Sequence, residues 1–575
     1  MQILESAQKL GHVIPNIASM LKGNSQRFSG NIAFQERLNG DYAGTTWTDF
    51  YEQILNIAYN LKSFGFTAGD KVVIFSMNRL EMLLLELAVM SSGGIAVPIF
   101  FNYNQETAGA LIKHSDAKFL AVGSQTQLSR IDDKLPLQNV IVFDNVKEKR
   151  FKSLVQFGEL ISKRSDNEFS LNFDASPDDI CLNMYTSGTM GNQKCVQLTH
   201  RNILSQQAAL KLLWNIDEND RLLSYLRWHH SFGGIFEKYT ALSNGAVLSH
   251  ESSQGLDPNT IMENWKLVKP TVFFSVPMIY QQLIDLTLES KEAEELFFHS
   301  GLKFVFTAAA PLPQHISDEF EKRKIPVIEG WGLTETAPCC TLTDPELKRE
   351  PGVVGNPIPG VSVALEEDGE ILVKGPNVMV GYYNNDTANE KVFNSEGWFC
   401  TGDIGEFTQT GLKLITRKDR IFKLSNAEKV IPTELESKIT GKCHFISYAL
   451  IEGSGKDYPV ALLFPNKRLL DESNINSEFE FESCTCPKSM GELAACLKGC
   501  LANVNCGLKQ RFARIKTALL IDDELSVDKS TLTPSMKMAP TNVKEIYKTH
   551  IEILYDTHSA QWQFHQDAYL IIIED

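Results

Sequence analysis

Between Asp70 and Pro98 the chain reads strand, helix, strand, and that pattern restricts what can be built around it. Lys71–Phe75 is a short β-branched run, Leu80–Met90 has helical length and apolar density, Ser91–Gly94 breaks it, and Ile95–Pro98 opens the next strand. Strands without polar alternation are buried on both faces, which calls for a parallel sheet covered by helices. Phe119–Val122 and Val140–Phe143 repeat the strand signal, and it returns at Thr271–Ser275, Lys303–Thr307 and Ile325–Ile328. The expected class is α/β. A chain of 575 residues exceeds what one hydrophobic core supports, so several domains or subdomains are expected.

After Gly352 the texture changes to short strands and turns at Val361–Leu365, Glu370–Lys374 and Lys413–Ile415, predicting a β-barrel-like subdomain. Beyond about Asp419 a smaller α+β piece follows, with strands at Tyr448–Ile451 and Val460–Phe464 and helices near Met490–Ala502 and Asn542–Leu554. The polar, acidic stretch Pro465–Cys486 reads as a surface insertion. No internal repeat or low-complexity linker is found.

Lys and Arg number 55 against 71 Asp and Glu, a net charge of −16, with no sustained basic stripe, so nucleic-acid binding is disfavoured. No signal-peptide pattern opens the chain, and Met82–Met90 and Ala568–Ile573 are too short to span a bilayer. The expectation is a soluble cytoplasmic protein. Eleven cysteines, an odd number, read as reduced thiols rather than a disulfide framework. In the densest group, Cys484, Cys486, Cys496, Cys500 and Cys506, only Cys496 and Cys500 approach the spacing of zinc ligands. They are taken as core or surface residues.

The strongest chemical signal is Tyr185-Thr-Ser-Gly-Thr-Met-Gly-Asn-Gln-Lys194, followed by Leu198-Thr-His-Arg-Asn202. Small hydroxyl residues and glycines after a strand let backbone N–H groups and hydroxyls surround a polyphosphate, and Lys194 adds a point charge. This is not the P-loop of NTPases, since Gln193 and Cys195 flank the lysine where that motif has Gly and Ser or Thr.

Thr186–Lys194 resembles the phosphate loop of the adenylate-forming superfamily, the acyl-CoA synthetases, luciferases and peptide-synthetase adenylation domains. The similarity runs from about Gly40 to about Tyr547, in the family's motif order. It implies a nucleotide-binding role for Thr186, Ser187, Gly188, Thr189, Gly191 and Lys194. Gly330-Trp-Gly-Leu-Thr-Glu-Thr336 resembles the family's aromatic-Gly-x-Thr-Glu segment: Gly330, Trp331 and Gly332 would bind the nucleotide, with Trp331 against adenine, Thr334 would contact phosphate, and Glu335 would hold Mg²⁺. Ala308-Ala-Ala-Pro311, with Ala309 and Ala310, resembles the small-residue strand end that adenine approaches. Trp398-Phe-Cys-Thr-Gly-Asp403 and Arg417-Lys-Asp-Arg420 resemble the ribose-binding motifs, implying ribose contacts for Asp403 and Arg417 and a hinge at Asp419. Leu532-Thr-Pro-Ser-Met-Lys537 is similar to the C-terminal segment of long-chain acyl-CoA synthetases, making Lys537 the adenylation lysine. Leu226-Arg-Trp-His-His-Ser-Phe-Gly-Gly234 resembles the segment that gates the acid pocket, with His230 the matching histidine. Singly, Asp403 reads as a turn residue and Arg417 or Lys537 as a solvated cation; the motifs' order and spacing together give the functional reading its weight.

The resemblance implies a large N-terminal domain over 1–416, of two α/β subdomains plus the β-barrel-like one, and a small lid domain over 417–575, with the active site between them. The lid closes for adenylation and rotates for thiol transfer. ATP, Mg²⁺, and CoA or the phosphopantetheine of an acyl carrier protein are the implied cofactors and partners, with a small-molecule carboxylic acid as substrate. Fatty acids are preferred from the Lys537 segment, from Phe422–Asn426, and from the apolar run Val272–Ile279. A lipid-like acid leaves peripheral membrane contact open. Loading of a carrier protein, an aryl-acid substrate, or a degenerate non-catalytic binding module are the alternatives. Arg227 (for Pro), Cys195 and Ala427 (for Gly), and Ala539 and Pro540 (for basic residues) depart from the family pattern.

Overall fold

The computed structural model describes residues 1–162, 164, 166, 168–186, 193–308, 310, 312–475, 487–527, 529–533, 537–555 and 568–573. They form two compact units. One comprises Met1–Thr186, Lys194–Thr401 and Glu406–Leu414; the other comprises Gly402–Gly405 and the described residues from Ile415 onward.

The larger unit is built on two sheets. In the eight-stranded sheet, Lys71–Phe75 lies parallel to Ile95–Ile99 on one side and to Phe119–Val122 on the other. The unbroken apolar run of Lys71–Phe75 has a structural cause: Val72 and Ile74 point into one core and Val73 and Phe75 into another. Side chains alternate between faces along a strand, so a strand covered on both sides needs apolar residues throughout. Helix Leu80–Ser91 is buried all round from Met82 to Ser91 for the same reason. Helix Trp47–Ser63 buries only one stripe, Trp47, Phe50, Ile54, Ile57, Ala58 and Leu61, and Thr46 caps it by accepting from the Asp49 N–H.

The second sheet has fourteen strands. Its centre is parallel, Val272–Ser275 beside Phe304–Thr307 beside Val327–Gly332, and it continues through antiparallel strands from Cys339–Leu342 onward. The β-rich segment expected to be barrel-like therefore extends this sheet, and among the described residues no sheet closes into a barrel. Closure requires the last strand to pair with the first. Here Ser362–Leu365 pairs instead with Gln2–Glu5 at the chain's start, which takes the edge position.

Glu86 of the central helix is fully buried against Lys238, Nζ to Oε1 2.5 Å. Burial raises the carboxyl and lowers the ammonium pKa, each opposed by the partner. Removing one member of such a pair leaves an uncompensated buried charge. Lys238→Met is expected to lower unfolding free energy by about 3–5 kcal/mol in chemical denaturation, with Glu86→Gln in the same chain recovering part of the loss.

The smaller unit has a four-stranded sheet in the order Ile446–Glu452, Val460–Pro465, Thr517–Ile521, Ala568–Ile572. Ala461, Leu463, Ala518 and Leu520 face one core, and Val460, Leu462, Leu519 and Ile521 the other. Within the stretch read as a surface insertion, Lys467–Ile475 is a helix whose Leu470 is buried in the first of these cores; residues 476–486, with Cys484 and Cys486, lie outside the described set. Among the described residues no helix is long and apolar enough to cross a membrane.

Candidate active site

In the larger unit, strand Ile180–Thr186 turns back antiparallel as Lys194–Thr199, placing Thr186 opposite Lys194. The Thr186 hydroxyl donates to the Lys194 carbonyl at 3.4 Å. Ser187, Gly188, Thr189 and Gly191 lie outside the described residues. A capping box starts the next helix: Thr199 accepts from the Asn202 N–H at 3.1 Å, and Asn202 Oδ1 accepts from the Thr199 N–H at 2.8 Å. Asn202 Nδ2 also donates to the Pro376 and Val378 carbonyls, both at 2.8 Å. The phosphate-loop strand is thereby tied to the segment that ends in Gly381–Tyr382, which pairs with it directly as Val196 to Tyr382.

Tyr382 is the site residue that the sequence did not disclose. Its hydroxyl donates to Glu335 Oε1 at 2.8 Å, and Lys194 Nζ stands over its ring, 4.8 Å from the centroid. The candidate metal carboxylate and the candidate phosphate lysine are thus placed by one aromatic side chain. Glu335 is buried at 9% exposure, and its carbonyl accepts from the Met379 N–H at 2.8 Å. A tyrosine after a glycine in a β-rich stretch carries no chemical signal alone; only the pairing of Gly381–Tyr382 with Lys194–Thr199 brings it here. Glu335→Gln is expected to raise the Mg²⁺ concentration needed for half-maximal adenylation, because a hard cation selects carboxylate oxygen. Tyr382→Phe should raise it less, by freeing the carboxylate's orientation, in an Mg²⁺ titration of pyrophosphate exchange.

Thr334 is joined to the histidine segment by a 3.0 Å hydrogen bond between its hydroxyl and that of buried Ser231. His230 Nδ1 accepts from the Phe232 N–H at 3.3 Å, and its carbonyl accepts from the Gly234 N–H at 2.7 Å. Phe232–Glu237 is a π-helical turn, a feature found mostly at functional sites. Asn78 fixes the turn before it, donating to the Leu226 carbonyl at 2.8 Å and accepting from the Trp228 N–H at 3.0 Å. Arg227, in the family's proline position, lies over the Phe100 ring at 5.3 Å. Burial, with His230 and Arg227 nearby, holds the His229 imidazole well below its usual pKa.

Gly330 and Gly332 are required by close packing. A Cβ on Gly330 would stand 2.6 Å from Phe306 Cζ, and one on Gly332 would stand 1.7 Å from the Pro338 carbonyl oxygen. Trp331, expected against adenine, is buried at 7% exposure and belongs to the main core. Ala308 is half-buried and Ala310 exposed, while Ala309 and Pro311 lie outside the described residues. The run Val272–Ile279 folds as strand Val272–Ser275 and the start of helix Pro277–Glu289, and Phe274 packs against Phe236 and Phe306 with ring centroids 5.5 and 5.2 Å away. Core packing accounts for the apolar character of Val272–Ser275, whereas Met278 is exposed.

In the smaller unit Asp403 Oδ1 and Arg417 Nη1 form a 2.9 Å ion pair. Gly402, at φ 72°, leaves room for it: a Cβ there would come within 3.2 Å of Arg417 Nη2. Lys537 is tied to Thr533: its carbonyl accepts from the Thr533 N–H at 2.8 Å and its N–H donates to the Thr533 hydroxyl at 3.1 Å. The residue keeps much of its surface in solvent, yet the protein around its ammonium lowers the pKa; Asp403 opposes this and Arg417 adds to it. Asp403, Arg417 and Lys537 therefore share one electrostatic environment. Asp419 is exposed, 3.8 Å from Arg417 Nε.

The departures find structural readings. Cys195 is fully buried and its thiol is pushed up to about 12, chiefly by burial, so it serves as a small core residue. Ala427 sits at φ 66°, so the backbone keeps a glycine-like path with a methyl added, at a cost on the order of 1 kcal/mol. Ala539 caps and Pro540 begins helix Pro540–Ile546, where a missing N–H costs nothing.

Comparison with known proteins agrees with this arrangement. The family model described as AMP-binding enzyme matches residues 21–383, and that of the AMP-binding enzyme C-terminal domain matches 419–559. The chain belongs to the AMP-binding enzyme family, the adenylate-forming acid–thiol ligases. It is 26% identical to a probable CoA ligase, CCL6, of Humulus lupulus, over 90% of this chain and 88% of that one. It is 25% identical to the long-chain-fatty-acid–CoA ligase FadD15 of Mycobacterium bovis, over 94% and 97%. Among solved structures it resembles the O-succinylbenzoate coenzyme A synthetase of Bacillus subtilis in complex with AMP, at 22% identity and a TM-score of 0.72, covering 92% of this chain and 98% of that one.

Proposed function

We propose that this acid–thiol ligase uses ATP to convert a fatty acid to its acyl-adenylate, releasing pyrophosphate, and then passes the acyl group to CoA, releasing AMP. The observation that carries the reading is the Lys194–Tyr382–Glu335 arrangement beside Thr334, a cation, a carboxylate and a hydroxyl gathered within the family's motifs. Relatives named as long-chain fatty acid and other CoA ligases support the acid class and the acceptor.

An acid oxygen attacks the α-phosphorus of ATP and pyrophosphate leaves. Two anions meet in this step, so fixed positive charge at the developing oxyanion is what accelerates it. Lys194 and Lys537 supply that charge, and Asp403 and Arg417 are the ribose contacts. Glu335, held in orientation by Tyr382 and with Thr334 next to it in sequence, fits Mg²⁺, a hard cation that takes oxygen ligands and would neutralise phosphate charge. In the second step a thiolate attacks the acyl carbon and AMP leaves.

The test is acid-dependent ATP–pyrophosphate exchange across fatty acids of graded length and aromatic acids, then thioester formation with CoA and with a phosphopantetheinylated carrier protein. Exchange with fatty acids and transfer to CoA are expected. Exchange with no acid would sink the enzyme reading in favour of a binding module, and transfer to the carrier alone would replace CoA.

The hinge at Asp419 has its own test. A proline fixes one backbone angle and removes an N–H. Asp419→Pro should preserve acyl-AMP formation and slow its consumption by thiol in single-turnover assays. Equal loss in both steps, with the fold intact by circular dichroism, would move the hinge elsewhere.

A further inference from the structure

Tyr383, the neighbour of Tyr382, has an anchor of its own. It is half-buried, and its N–H donates to the Cys195 carbonyl at 2.8 Å, which carries on the pairing of Val196 with Tyr382. Its hydroxyl donates to Asp116 Oδ2 at 2.8 Å and accepts from Lys71 Nζ at 2.6 Å, and the same ammonium stands 3.9 Å from the centre of its ring. Asn384 Nδ2 donates to the same carboxylate oxygen at 3.3 Å. Lys71 opens strand Lys71–Phe75, and Asp116 caps helix Gln105–Ser115 at a φ of 55°. The phenol therefore spans a cation and a carboxylate from two other elements of the larger unit, and hydrogen bonds to charged groups are the strong ones.

The same helix holds the other side of the hairpin. Tyr185 lies opposite Cys195 and directly precedes Thr186. Its hydroxyl donates its one proton to the Leu111 carbonyl at 3.1 Å, so the His114 Nδ1–H donates to it at 2.9 Å. The strands that carry Thr186 and Lys194 are thus tied, through Tyr185 and Tyr383, to the C-terminal half of helix Gln105–Ser115 and the residue that caps it. Lys71, His114, Asp116 and Tyr383 lie outside every family motif in the sequence.

We propose that Tyr383 is a positioning residue for phosphate binding: gripped by Lys71 and Asp116, it fixes where Tyr382 presents its ring to Lys194 and its hydroxyl to Glu335. The proposal rests on the reading of Lys194 as the phosphate cation and Glu335 as the metal carboxylate. A lysine is a point charge on a flexible four-carbon stem, and the aromatic face 4.8 Å away is what narrows its range. Tyr382 can do this only if its backbone stays in place, and the Tyr383 side chain holds that backbone from the next residue. ATP presents its outer phosphates to this corner, whereas AMP has none to present.

The test measures dissociation constants for ATP with Mg²⁺ and for AMP by titration calorimetry on the full chain. Tyr383→Phe keeps the ring and loses the hydroxyl. ATP affinity is expected to fall about 3–30-fold, the span carried through a packed chain of contacts, with AMP affinity within about twofold of wild type. Asp116→Gly removes the same anchor from an exposed position whose φ suits glycine, so it serves if the tyrosine variant misfolds, and the same selective loss is expected. Asp116→Asn keeps an acceptor oxygen and tolerates this φ, and should restore ATP affinity to within about twofold of wild type. Unchanged ATP affinity in whichever of Tyr383→Phe and Asp116→Gly folds would overturn the role. So would an equal fall for ATP and AMP, the mark of a general structural loss, or an asparagine variant no better than the glycine one. A wild-type chain that binds ATP yet shows no acid-dependent pyrophosphate exchange would end the ligase reading and leave these affinities to decide the role of Tyr383.

Discussion

Replacing Lys537 with Ala is expected to lower acid-dependent ATP–pyrophosphate exchange by about 10²–10³-fold, the usual loss when one well-placed charge is removed from a developing oxyanion. Thioester formation from supplied acyl-AMP stays near the wild-type rate, because the phosphoryl chemistry is already complete. Two features set this residue apart from an ordinary solvated lysine: the backbone hydrogen bonds to Thr533, and the shared environment with Asp403 and Arg417. Exchange at the wild-type rate in the alanine variant would remove Lys537 from the adenylation step.

The second large effect belongs to a residue with no side chain. Gly332 lies between Trp331 and Leu333, at an irregularity in the pairing with Cys339–Leu342. A methyl placed there would stand 1.7 Å from the Pro338 carbonyl oxygen and 3.1 Å from the Cys339 Cα. Backbone cannot yield as a flexible side chain can, so the strand end has to shift and carry Thr334 and Glu335 with it. A displacement of about 1 Å at reacting groups costs about 10² in rate. Gly332→Ala should therefore lose about that much exchange activity while the chain still folds. Gly397→Ala is the control: its φ of 76° is one a side chain disfavours, but nothing lies within 4 Å of the added methyl. It should cost stability only. Similar activity in the two variants would mean that the 330–336 segment tolerates movement.

Asp419 and Lys238 extend the same logic to steps and stability that neither of these residues touches. Asp419→Pro separates the two half-reactions, and Lys238→Met reads the cost of an unpaired buried charge.

The buried strands were legible because burial on both faces leaves a mark in local sequence. Lys71–Phe75 and Val460–Phe464 show no polar alternation, and each divides its side chains between two cores. The motifs around Lys194, Glu335, Asp403 and Lys537 were legible for a different reason: their order and spacing together form a family pattern, and the family models over 21–383 and 419–559 agree with it. What remained hidden was pairing at long range. Nothing near Ser362–Leu365 says that residues 2–5 will pair with it and take the sheet edge, so an open sheet read as barrel-like. Nothing near Tyr382 says that a strand more than 180 residues earlier will bring Lys194 to its ring and that Glu335 will meet its hydroxyl. The apolar run at Val272–Ile279 entered the fatty-acid reading because local hydrophobicity has the same appearance whether a ligand or a neighbouring phenylalanine fills the space. Sequence determined which groups the chain carries and which segments must be buried. Tertiary structure alone decided which of them meet, because contact between distant segments depends on strand register and backbone approach, which no short window of residues records.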